Sequence, residues 1–224
     1  GTHRKIDDIF AVHRNGMNVK QLPTAPGHDD QPAWSPDGSR IAYRHFETGG
    51  RIDVWMMNAD GSAPVNLTAD MPDGAQRSAP TWSPDGTHIA FATSHNDFSG
   101  TTASIWTMRA DGSDKRRITS TLTGFDAMPT WAPDGQRIAF IRYYAGDSDI
   151  SIVSTAGGEP VRVAIPGLQW TPAWSPDGKW IAYAQADGAI YNLYTASPNG
   201  TDVRLRTVDP AWGGGFNPAW IRKP

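Results

Sequence analysis

Three histidines, His28, His45 and His95, lie in non-repeating stretches of the chain, and Asp29 and Asp30 adjoin the first. Imidazole beside carboxylate is a donor set suited to Zn²⁺ or Mn²⁺, and a metal held there could serve a lyase. A second group is aromatic: Trp170, Trp212 and Phe216, with Tyr143 and Tyr144. Flat rings near carboxylates and amides suit sugars, whose C–H faces stack while their hydroxyls hydrogen-bond. Asp29, Asp30 and Asp126 would be the acceptors and Arg77 the donor. A uronate-directed lyase needs a base near the α-proton and a cation against the carboxylate. His28, His45 or His95, Tyr143 or Tyr144, and Arg77 could fill those roles. Thiolate chemistry is excluded, because there is no Cys. The Gly-x-Ser-x-Gly elbow, the phosphate-binding Gly-Lys-Ser/Thr loop and the His-Glu-x-x-His motif are also absent.

The elements that must position these residues repeat. Pro32-Ala33-Trp34-Ser35-Pro36-Asp37-Gly38 returns as Pro80 to Gly86, Pro129 to Gly135 and Pro172 to Gly178, and Pro218-Ala219-Trp220 begins a fifth copy. The Trp-to-Trp spacings are 48, 49, 43 and 46. Each full copy continues into an apolar triplet: Ile41-Ala42-Tyr43, Ile89-Ala90-Phe91, Ile138-Ala139-Phe140 or Ile181-Ala182-Tyr183. A second half follows, as in Asp53-Val54-Trp55-Met56-Met57 before Ala59-Asp60-Gly61. The N-terminus carries that half alone, Asp8 to Val12 followed by Asn15-Gly16.

Pro-Asp-Gly is a tight turn joining strands a and b, and Asp-Gly or Asn-Gly is a hairpin signal joining c and d. Strands b and c read as continuous apolar runs, as in a sheet covered on both faces. Val65-Asn66-Leu67 and Val161-Arg162-Val163 alternate, which makes d the outer strand. Four-stranded units of this length, repeated, predict an all-β propeller. Five blades of four antiparallel strands are expected in one domain spanning 1–224: 32–68, 80–119, 129–164, 172–207, and a composite closing blade from 6–22 plus 218–221. That last blade has no clear strand b, so a truncated six-bladed ring is the alternative.

The a–b and c–d turns hardly vary among the units, whereas the d–a and b–c connections differ in length and chemistry. Binding residues favour variable segments on a rigid scaffold. The d–a connections hold Gly27 to Gln31, Gln76 to Ser78, Phe125-Asp126, Gln169-Trp170 and Trp212 to Asn217. The b–c connections hold Arg44 to Glu47, Ser94 to Phe98, Arg142 to Tyr144, Asp147 and Asp187. All of these are expected to be loops on one face. The repeated Trp residues are expected in the core. Asp8, Asp53 and Asp149 share a slot with Ser104 and Asn192 at the start of strand c, where a short polar side chain would bond nearby backbone.

The Trp-Ser-Pro-Asp-Gly repeat with its Asp-Gly hairpin resembles the WD40-like repeats of the TolB family over roughly residues 6–221. The resemblance implies a periplasmic or extracellular interaction propeller. Similar repeats occur in gating propellers of prolyl-peptidase relatives and in some polysaccharide lyases. The net charge of −3 argues against nucleic acid, which needs a basic face. No apolar run is long enough for a membrane span. The expected function is therefore a non-catalytic binding propeller, holding a protein segment or glycan at the channel mouth without a cofactor. The alternatives are a carbohydrate-active enzyme, a metal-assisted lyase or hydrolase, and the propeller part of a larger protein.

Overall fold

The computed structural model describes residues 8–13, 15–23, 25–72, 74–97, 100–120, 124–144, 146–187, 190–207 and 218–220; for 95–97, 100, 101, 187 and 190 only the backbone is described. Among these residues all regular structure is β. Strands β1 (Phe10–Ala11) and β2 (Lys20–Gln21) form an N-terminal hairpin. Four antiparallel units follow, each in the order a, b, c, d. The first holds β3 (Gly27–Trp34), β4 (Arg40–Glu47), β5 (Ile52–Asn58) and β6 (Val65–Asn66). The second holds β7 (Ala75–Trp82), β8 (His88–Asp97), β9 (Gly100–Arg109) and β10 (Arg116–Arg117). The third holds β11 (Phe125–Trp131), β12 (Arg137–Tyr144), β13 (Asp147–Ser154) and β14 (Val161–Arg162). The fourth holds β15 (Gln169–Trp174), β16 (Ile181–Asp187), β17 (Ile190–Ala196) and β18 (Arg204–Leu205).

Strands a and b run further than their sequence pattern suggests. His28 to Gln31, Gln76 to Ser78, Phe125-Asp126 and Gln169-Trp170 are strand, as are Arg44 to Glu47, Ser94 to Asp97 and Arg142 to Tyr144. The expectation of loops there is corrected. A bulge hides the continuity. The register shifts between Asp30 and Ala33, Ser78 and Thr81, Ala127 and Thr130, and Trp170 and Ala173. In each unit the residue before the proline is left-handed: Gln31, Ala79, Met128 and Thr171 have φ between 48° and 54°. An extra residue breaks the period-two pattern by which a strand is read.

The a–b turns are built alike. Ser35 Oγ donates to Asp37 Oδ1 at 2.6 Å, Ser39 N–H donates to the same oxygen at 3.0 Å, and Gly38 N–H closes on Ser35 O at 2.9 Å. The Ser35 hydroxyl, with the Ser39 N–H, holds the Asp37 carboxyl down at about 2. Hydrogen bonds from Ser83 and Ser175 likewise lower the Asp85 and Asp177 carboxyls from the usual range.

The core lies between units. Ala42, Val54, Leu67 and Met71 of the first unit pack on Trp82, Ile89, Phe91 and Met108 of the second. Equivalent clusters join the second unit to the third and the third to the fourth. Ile9 and Leu22 of the hairpin pack on Ile41, Tyr43 and Met57 of the first unit. Each fully buried Ile or Phe contributes about 1.5–3 kcal/mol. Close approach of hairpin to neighbour repeats too. A Cβ on Gly112 would lie 3.0 Å from the Leu67 carbonyl of the preceding unit, and one on Gly61 would lie 2.4 Å from Pro23. The N-terminal hairpin thus packs on the first unit as each unit packs on the next.

The repeated tryptophans tie neighbouring units together. Trp82 Nε1 donates to Ala33 O at 3.0 Å, Trp131 to Thr81 O at 3.2 Å and Trp220 to Ala173 O at 3.0 Å. Arg40 lies over the Trp82 ring at 4.9 Å and Arg137 over Trp174 at 4.9 Å. Trp34, Trp82, Trp131, Trp174 and Trp220 all line one cavity of about 550 Å³. Trp82 and Trp174 are buried, but Trp34 is 52% exposed. The core expectation is corrected for Trp34, which has no described unit packed on the flank where Trp82 meets the first unit, and for Trp220, which is also exposed.

Two predictions follow from this packing. Tyr43 and Tyr183 take the slot of Phe91 and Phe140, fully buried, with hydroxyls that have no hydrogen-bond partner among the described residues. An unpaired buried hydroxyl costs about 1–3 kcal/mol, so Tyr183→Phe should raise stability by about 1 kcal/mol in urea denaturation. A loss of stability would mean that the hydroxyl is satisfied. The lowered turn carboxyls stabilise the fold above their unfolded value near about 4, and this stabilisation is lost as pH falls toward about 2. Melting temperature should therefore drop over that window, and drop less in Asp37→Asn.

Candidate functional site

Beneath the variable face each unit carries a rung of polar residues. The residue five before each repeat Trp faces, across strand b, the short polar residue of strand c, which lies inside that strand rather than at its start. The rungs are Asp29–His45–Asp53, Arg77–Thr93–Ser104, Asp126–Arg142–Asp149 and Gln169–Gln185–Asn192. Most of these side chains are buried, and Arg77 is completely so. His45 Nδ1 meets Asp29 Oδ1 at 2.6 Å. Arg142 grips Asp126 with two bonds, at 2.7 and 2.9 Å, and this partner raises the Arg142 pKa.

Two rung members cross to the preceding unit. Arg77 Nη1 donates to Asp53 Oδ1 at 3.1 Å. Gln169 accepts from Ile150 N–H at 3.2 Å and donates to Ile165 O at 2.9 Å. The strand-c carboxylates are held mainly by side chains rather than backbone. Asp53 accepts from Thr68 Oγ1 and Asn66 Nδ2, both at 2.8 Å, and Asp149 pairs with Arg162 at 2.6 Å and accepts from Tyr144 OH.

Asp29, Arg77 and Asp126 are therefore one structural slot inside the blades, not groups presented at an open mouth. The signal was in the sequence: all three stand five residues before a repeat Trp. His45 is interior with Asp29, and His28 is exposed on β3. His95 lies on β8 with only its backbone described. Asp30 is half-buried and accepts from Arg44 Nε at 2.6 Å. Trp212 and Phe216 lie outside the described residues. Among the described residues no three His, Asp or Glu side chains are grouped to hold a metal ion.

The structure does bring Trp170, Tyr143 and Tyr144 together. They line a cleft of about 280 Å³ between the third and fourth units, with Phe125, Asp147, Ser148, Leu168 and two glycines. Phe125 stacks on its cross-strand partner Tyr143 at 4.2 Å and 20°. Trp170 stands at 62° to Tyr143, 5.3 Å away, and Tyr191 backs Trp170 at 6.5 Å. At the edge of the cleft, Gly124 has φ of +89°, and a Cβ there would lie 1.8 Å from the Tyr143 carbonyl, so glycine is required. Burial pushes the Tyr143 hydroxyl up to about 12, and the bond to Asp149 raises that of Tyr144. Neither suits a base at neutral pH. Phe125 and Asp147 were expected on the variable face but were not singled out as ligand-binding residues, and Tyr191 was not among the sequence candidates. Phe125 and Tyr191 complete the aromatic wall only through cross-strand and inter-unit packing.

The model of the TolB β-propeller domain family matches residues 71–209, more than half of the chain. The chain belongs to this family. Its fold is that of TolB propellers. A protein assigned as TolB from Agrobacterium tumefaciens superposes with a TM-score of 0.73 at 20% identity, covering 88% of this chain and 72% of that one. TolB from Acinetobacter baumannii gives 0.73 at 24%, covering 88% and 47%, so this chain spans under half of that protein. The oligogalacturonate lyase of Vibrio parahaemolyticus gives 0.64 at 15%, covering 88% and 59%. No curated protein matches the chain. No helix among the described residues is long and apolar enough to cross a membrane.

The rungs are testable as interior ties of this TolB-type propeller. Removing one partner of a buried ion pair costs about 3–5 kcal/mol. Arg77→Ala should therefore destabilise strongly, while Arg44→Ala, whose pair with Asp30 is half-exposed, should cost less than about 1 kcal/mol. Equal, small effects in chemical denaturation would refute the interior assignment.

Proposed function

We propose that this TolB-type propeller is a non-catalytic binding module that holds a protein segment or glycan on its variable face. The observation that carries the reading is the cleft of Trp170, Tyr143, Tyr144 and Phe125, aromatic residues outside the repeated core slots that gather in one place. At about 280 Å³ it matches the lower end of small-ligand pockets, about 300 Å³, which suits one side chain or one sugar ring. The raised tyrosine pKa values and the inward pairing of His45 favour binding over acid–base chemistry. The carbohydrate-active-enzyme reading draws support from a shared fold with a lyase, and one fold hosts many functions.

The scaffold is proposed to be a five-bladed ring, with the β1–β2 hairpin and the Trp220 segment completing one composite blade. Five repeat tryptophans around one cavity support this, as does the Gly61–Pro23 contact. In such a ring Trp34 would donate to the carbonyl of Ala219, as Trp82 does to that of Ala33. Family membership supports a periplasmic or extracellular location and protein partners, and the chain could serve as the propeller part of a longer protein.

A thermal-shift panel of short peptides, neutral oligosaccharides and uronates, with and without divalent metals, tests the reading. A ligand at a hundred times its Kd stabilises by about 2.7 kcal/mol. Trp170→Ala should abolish that shift while changing the ligand-free melting temperature little. A variant that melts far earlier yet still binds when folded would make Trp170 a packing residue.

A further inference from the structure

Resting on the reading above, we infer that the cleft between the third and fourth units takes a cationic group, and that its occupant is a lysine side chain of an extended partner polypeptide. The ring pair Phe125–Tyr143 and the Trp170 ring form two walls inclined at 62°. Aromatic faces are the negative pole of the ring quadrupole and attract ammonium groups. The charged side chain lining the cleft is a carboxylate, Asp147, and no Lys, Arg or His is among the lining residues.

The nearby arginines do not line the cleft: Arg162 pairs with Asp149 at 2.6 Å while also feeling the charge of Asp147, and Arg142 pairs with Asp126 at 2.7 Å. Asp147 is half-buried among the residues that line the cleft, and its Oδ1 accepts the Ser148 N–H at 2.9 Å. A uronate would bring its charge toward Asp147 and the ring faces with no cation among the lining residues to meet it. Lysine fits both parts of the cleft. Its alkyl stem can lie along Leu168 and the rings while the compact ammonium reaches Asp147.

The test uses the whole chain labelled with 5-fluorotryptophan, with the Trp170 resonance assigned through Trp170→Phe. Three probes are titrated: a blocked pentapeptide with a central lysine, the same peptide with norleucine, and galacturonate. The lysine peptide should shift the Trp170 resonance and bind about tenfold tighter than the norleucine peptide. Asp147→Asn should remove that advantage without moving the melting temperature. Equal binding of both peptides, or an unchanged preference in Asp147→Asn, overturns the cationic occupant and leaves an apolar binding cleft standing. Preferential binding of galacturonate overturns it in favour of a glycan. If no probe moves the Trp170 resonance, the binding cleft itself fails and the lysine inference with it.

Discussion

Everything in this propeller depends on how one unit docks on the next. A four-stranded β unit of this kind is apolar on both faces and cannot bury them alone. The repeat tryptophan addresses this: its ring packs against the shared core, the N–H of Trp82, Trp131 and Trp220 satisfies a carbonyl of the preceding strand a, and an arginine of the preceding unit covers the ring where Arg40 meets Trp82 and Arg137 meets Trp174. Each core cluster is accordingly drawn from two neighbours. Trp34 shows the converse, a repeat residue in the right slot that stays half-exposed where no described unit packs on that flank.

The polar rungs are a second consequence of the same stacking. Strands a and b continue past the apolar triplet, and their upper ends are pressed between units where water does not reach. Polar side chains at those positions must find partners inside. Arg77 and Gln169 do so across a junction and thereby fasten two units, while His45–Asp29 and Asp126–Arg142 close within one. The variable face above rests on a rigid polar layer, and the aromatic cleft is held by strand residues rather than by mobile segments.

The cleft forms where the third and fourth units depart from the repeat. Phe125, Tyr143 and Trp170 belong to three different strands, and two of these lie in one unit and the third in its neighbour. Neither unit alone would present the corner. Asp147 is the charged side chain among the cleft's lining residues, and no Lys, Arg or His lines it.

The sequence by itself determined the class of fold, the units and their strand order. Pro-Asp-Gly, Asp-Gly and the Ile-Ala-aromatic triplet are local signals that act through turn geometry and strand burial, and the repetition of Trp reports a shared slot. It also carried the rung, legible by counting five residues back from each Trp to Asp29, Arg77, Asp126 and Gln169. Only the tertiary structure showed that these are interior ties, because burial between units is a non-local property and the bulge before each Pro conceals that the strand continues. Trp170 and Tyr143 could be singled out from the chain as aromatics outside the repeated core slots. Their meeting with Phe125 and Tyr191 around Asp147 depended on cross-strand register and on the docking of two units, which no linear spacing records.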